Sequence, residues 1–74
     1  MRITKNDLLQ NIEYINEHLE TNIFELSGAY GGYKLTTKTG NDVLATGYTT
    51  KKDLYFNLIS FIRGLEYNEY KLIK

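Results

Sequence analysis

Apolar positions follow a helical period, then a strand period, then a helical period again. Leu8, Ile12, Ile15 and Leu19 recur at spacings of four, three and four; Leu9 widens their stripe, and Asn11, Glu13, Asn16, Glu17 and Glu20 fill the other positions. That spacing predicts an amphipathic helix. Thr4 offers a capping hydroxyl, and Asp7 places a carboxylate in the first turn, where the helix dipole favours negative charge. The helix is expected from about Lys5 to Leu19, broken at Thr21-Asn22.

From Ile23 the period becomes two. Phe24 and Leu26 point one way, and Ile23, Glu25 and Ser27 the other. Three of the six glycines lie between Leu26 and Leu35. A tight turn at Tyr30-Gly31 sets residue 26 opposite 35, and Gly28 opposite Tyr33, whose ring covers the bare glycine. Gly40-Asn41 suits a second two-residue hairpin loop, pairing 37 with 44, 35 with 46 and 33 with 48. Cross-strand partners share a face. One face then carries Phe24, Leu26, Tyr33, Leu35, Leu44 and Tyr48. The other carries Glu25, Ser27, Lys34, Thr36, Lys38, Val43 and Ala45.

The helical period returns after Thr49-Thr50, either of which can cap, with Asp53 in the first turn. Leu54, Leu58, Phe61, Ile62 and Leu65 form the main stripe, flanked by Tyr55 and Ile59. Gly64 reads as the residue past the helix end. The predicted class is α+β: a two-layer α-β-β-β-α domain over residues 1–65, with a three-stranded antiparallel meander covered by two helices on one face. Residues 66–74 form a C-terminal tail. Its Tyr67, Tyr70, Leu72 and Ile73 fit a short helix, an added strand or a disordered end.

Composition narrows the function classes. A chain of 74 residues buries a small core, so self-association is one expected source of stability. The absence of cysteine removes disulfides, thiolate metal sites and thiol nucleophiles. Nine basic and nine acidic residues balance, which argues against a dedicated nucleic-acid binder. No apolar run has signal-peptide or membrane-span length, so the expected location is the cytoplasm.

Few residues are candidates for chemistry. His18 lies on the same helix flank as Tyr14 but has no neighbouring nucleophile, and reads as an exposed helix histidine. The Gly28–Gly32 run joins two strands and lacks a following helix, so hairpin geometry explains it better than a phosphate cradle. Tyr30, beside Gly31 at the turn tip, is the exposed aromatic that could anchor a contact. Phe56 lies about 160–200° around the second helix from the core stripe. Either the tail, with Tyr67 and Tyr70, folds back over it, or it belongs to an interface. Lys34 and Lys38 share the open sheet face, but the strand tyrosines are expected on the core side, which disfavours base stacking there.

The run Leu26-Ser27-Gly28-Ala29-Tyr30-Gly31-Gly32-Tyr33, then Gly47-Tyr48, Lys51-Lys52-Asp53-Leu54-Tyr55 and Phe61-Ile62-Arg63-Gly64-Leu65, resembles small proteins of unassigned activity encoded by tailed bacteriophages and prophages. The resemblance spans roughly residues 5–65, and its most specific part is the Ser-Gly-Ala-Tyr-Gly-Gly run. It implies a phage origin and a bacterial host cell, and supplies no functional residues.

These readings favour a non-enzymatic accessory protein, without cofactor or metal, that binds and inhibits a host or defence protein. A homodimer is expected, and the binding residues are Tyr30, Gly31, Phe56, Tyr67 and Tyr70. The alternative is a small-molecule or nucleotide-sequestering binder, and after it a nucleic-acid binder.

Overall fold

The computed structural model describes residues 2–73, and the side chains of residues 2–67. Two helices flank one β-hairpin: α1 (Lys5–His18), β1 (Phe24–Ala29), β2 (Gly32–Thr37) and α2 (Lys51–Ile73). The class is α+β, as expected.

Helix α1 begins in a reciprocal capping box. The Thr4 hydroxyl accepts from the Asp7 N–H at 3.3 Å, and the Asp7 carboxylate accepts from the Thr4 N–H at 2.8 Å. Ile3 and Leu8 bracket this box and both join the core, the placement of a hydrophobic staple. At the other end Thr21 N–H reaches Asn16 C=O at 2.8 Å, and Glu20 N–H reaches Glu17 C=O at 3.1 Å. This is a Schellman closure, and Glu20 takes the left-handed conformation (φ 53°) that glycine usually supplies. Leu19 is the cap residue and stands 41% exposed, outside the buried stripe expected to include it.

The first hairpin has the expected register. Leu26 pairs with Leu35, and Gly28 with Tyr33. A Cβ on Gly28 would meet the Tyr33 ring at 3.3 Å, so the ring does lie over that glycine. Asn16 fastens the start of β1 to α1: its amide donates to Phe24 C=O and accepts from Phe24 N–H, both at 3.1 Å. A side chain thereby replaces a neighbouring strand at that point.

The third strand of the expected meander does not form, and the sheet has two strands. Only isolated bridges join the next segment to β2, Thr36 with Asp42 and Tyr33 with Thr49. The expected 37–44, 35–46 and 33–48 pairs are absent from that arrangement. The cause is local. The Asp42 carboxylate accepts from Ala45 N–H at 3.0 Å and from Gly47 N–H at 2.9 Å, and both residues have positive φ. These bonds divert backbone donors from a ladder and wind residues 42–47 into a loop. Regular pairing returns at Tyr33 and Thr49, which exchange both backbone bonds at 2.8 Å. Gly32 is required there, since a Cβ would lie 2.8 Å from Thr49 C=O.

Helix α2 starts at the expected cap, with Asp53 N–H on the Thr50 hydroxyl at 3.1 Å. It does not stop at Gly64. It runs 23 residues to Ile73, so what was expected as a tail is its last turns. The core consists of Ile3, Leu8, Ile12, Ile15, Leu35, Leu54 and Leu58, with Phe24, Leu26, Tyr33 and Phe61 packed around it. Both helices therefore pack on the hairpin face that carries Leu26 and Leu35. Val43, expected on the open face, also packs against this core.

Candidate interaction surfaces

The outer side of α2 forms the first surface. At 100° per residue, Phe56, Ile59, Arg63 and Tyr67 fall within one sector, opposite the buried Leu54 and Leu58. Phe56 is 49% exposed and Tyr67 58%. Tyr55 meets the Phe56 ring edge-on, with centroids 5.7 Å apart. Because residues 66–73 continue the same helix, the expected alternative of a tail folded back over Phe56 is excluded. Tyr70 follows on the same sector by its helical position; its side chain lies outside the described residues, as do those of Leu72 and Ile73.

The second surface is a tyrosine corner on the face away from the helices. Its geometry starts from the turn. Tyr30 and Gly31 both have positive φ (53° and 73°), as a type I′ hairpin turn requires. The turn tolerates Gly, Asn or Asp at the first of these positions far better than a bulky ring. Tyr30 is nevertheless placed there, 95% exposed. Its ring meets the Tyr48 ring edge-on at 5.5 Å.

Tyr48 was expected on the core side. The loop held by Asp42 changes its register, and it emerges on the open face instead. There its hydroxyl shares a hydrogen bond with the Ser27 hydroxyl at 3.1 Å, and the Lys34 ammonium sits 4.5 Å from its ring centroid. Thr36, expected on a solvated face, is buried beside its bridge partner Asp42. The Asp42 carboxyl is held below its ordinary value of 3.8, first by the Gly47 N–H, then by the Ala45 N–H and the positive charge of Lys34; desolvation works in the opposite direction.

Two hollows complete the surface. One, of about 440 Å³, lies between the helices, with Asn11, Tyr14, Ile59, Ile62, Arg63 and Glu66 in its lining. The Tyr14 hydroxyl donates to Glu66 at 3.4 Å, and the His18 ring stacks on Tyr14 with centroids 6.0 Å apart. His18 is thus half-buried against Tyr14 rather than exposed as expected, and Glu66 brings to Tyr14 a carboxylate that sequence separation concealed. The other, of about 400 Å³, lies beside the turn between Lys5 and the glycine backbone of residues 28–32. The Gly28–Gly32 run connects two strands, and no helix follows it directly.

Among the described residues no group of three or more His, Asp or Glu side chains could hold a metal ion. No helix among them is long and apolar enough to cross a membrane. No protein-family model, curated protein or solved structure matches this chain.

Proposed function

We propose that this chain acts by binding another protein: a non-enzymatic phage accessory protein that engages, and by engaging inhibits, a host or defence protein of the bacterial cytoplasm. The observation that carries this reading is the second apolar sector of α2. Phe56 and Tyr67 stand 49% and 58% exposed on the side of α2 opposite the buried stripe, with Ile59 half-buried beside them. An aromatic sector of this kind on one long helix has the composition of interface cores.

The same sector supports self-association. A helix presenting one patch to its own copy gives a two-fold dimer, the commonest closed arrangement, and pairing enlarges the interior of a small domain. Light scattering should give twice the chain mass for the parent and a weaker dimer, or a monomer, for Phe56→Asp and for a chain ending at Leu65. Affinity capture from host lysate should then recover a protein partner with the parent. Loss of that partner with Phe56→Asp supports the surface. A well-folded monomer at high concentration that captures nothing refutes the reading.

A further inference from the structure

We propose that the tyrosine corner of Tyr30, Tyr48 and Lys34 is a binding site for a nucleobase and its phosphate, in a single strand or a free nucleotide. The argument begins with backbone strain. A bulky residue at φ 53° in the tightest turn of the fold costs stability that Gly or Asn would not. Glu20 and Ala45 take the same conformation to close a helix and a loop, whereas an aromatic ring in it is the kind of outlier that clusters at functional sites. Tyr30 projects its ring almost wholly into solvent, which contributes little packing in return.

The surroundings specify the ligand. Tyr48 meets Tyr30 edge-on and is itself fixed from two sides, by the Ser27 hydroxyl and by Lys34 over its face. Tyr48 thus backs one side of the Tyr30 ring, and the rest of that ring is open to stack on a planar base. Lys34 sits over the Tyr48 ring, and among the described residues its ammonium has no hydrogen-bond acceptor, so its three N–H donors remain suited to a phosphate. Asp42 lies near enough to feel the Lys34 charge, but its carboxylate oxygens accept from the loop N–H groups of Ala45 and Gly47. An aromatic face beside a cation is the pairing that single-strand binders use, stacking for the base and charge for the backbone. With a balanced net charge the affinity is expected to be modest.

This site is separate from the α2 sector, and dimerisation or protein capture there neither supports nor removes it. The test is amide and side-chain NMR titration of the full chain with two probes, a short oligothymidylate strand and thymidine monophosphate. Shifts should concentrate at residues 27–34 and 47–49. Binding of both probes marks a nucleotide site; binding of the strand with only weak monophosphate binding marks a single-strand site.

Tyr30→Asn suits the turn conformation and keeps the hairpin, and it should weaken binding roughly tenfold. Tyr30→Phe should retain it. Lys34→Gln should weaken binding and flatten its salt dependence by about 0.7 in log–log slope, the share of one single-strand phosphate. No shifts with either probe at millimolar concentration, shifts centred elsewhere, or unchanged affinity in Tyr30→Asn would each overturn the proposal.

Discussion

Leu35 on β2 and Leu58 on α2 have no exposed surface, and each helps close the single core. Truncating either to alanine removes apolar contact and leaves a cavity, so each variant should lose about 2–5 kcal/mol in chemical denaturation. In a domain this small that is a large part of the total. An unshifted midpoint for either variant would contradict the packing. Asp42 acts differently, by gathering loop amides. Its carboxyl titrates lower in the folded chain than its ordinary 3.8. The unfolded chain therefore takes up the proton first as pH falls. The contribution of Asp42 is fully present above the ordinary value and is lost as pH drops through the lowered one. Amide exchange and NMR signals of residues 43–47 should loosen in that acid window and stay unchanged between pH 5 and 8, and Asp42→Ala should abolish the transition.

At the scale of elements, Gly64 gives the sharpest test. It lies inside α2, and a Cβ there meets nothing within 4 Å. Gly64→Ala should therefore raise stability by about 0.5–1 kcal/mol, measured by thermal or denaturant unfolding. A glycine that ended the helix in a left-handed turn would respond in the opposite direction.

The same residue shows why the end of α2 was misread from sequence. Gly-Leu after a helical stripe is the usual signature of a helix end, and here the apolar period simply continues. Other elements were legible. Both caps, the α1 range and the first hairpin register follow from Thr4, Thr50, the 3.6 period and the Tyr30-Gly31 turn, all of which are local signals. The failed strand was not legible, because its alternation is real but the Asp42 carboxylate competes for the same amides. That error carried Tyr48 to the wrong face and hid the tyrosine corner with it. Tyr30 and the outward side of Phe56 could be read from turn geometry and helical angle. Asn16 on Phe24 and Glu66 on Tyr14 could not, since nothing in a linear pattern brings such pairs together.

Across the whole molecule, the chain is elongated, with extents of 43 × 31 × 20 Å. Its 23-residue second helix is about 34 Å long, against about 21 Å for α1. That longer helix carries both the buried Leu54 and Leu58 and the exposed Phe56 and Tyr67.

The paired backbone bonds of Tyr33 and Thr49 have a further consequence for chain continuity. They staple the approach to α2 onto β2 downstream of the exposed Ala45-Thr46 bend, so the peptide bond at that bend carries little of the fold. A protease that enters there should nick the domain without dispersing it, as exposed loop tips commonly allow. Fragments 1–45 and 46–74, made separately and mixed, should reassemble into one complex with the parent's near-ultraviolet circular dichroism. The first would bring α1 and the hairpin, and the second the Thr49 bridge and α2. Fragments that stay apart at micromolar concentration would show that the loop is needed to hold the two halves together. Reassembly would make this small domain a two-part reporter, separable at one bend and rejoined by its own core.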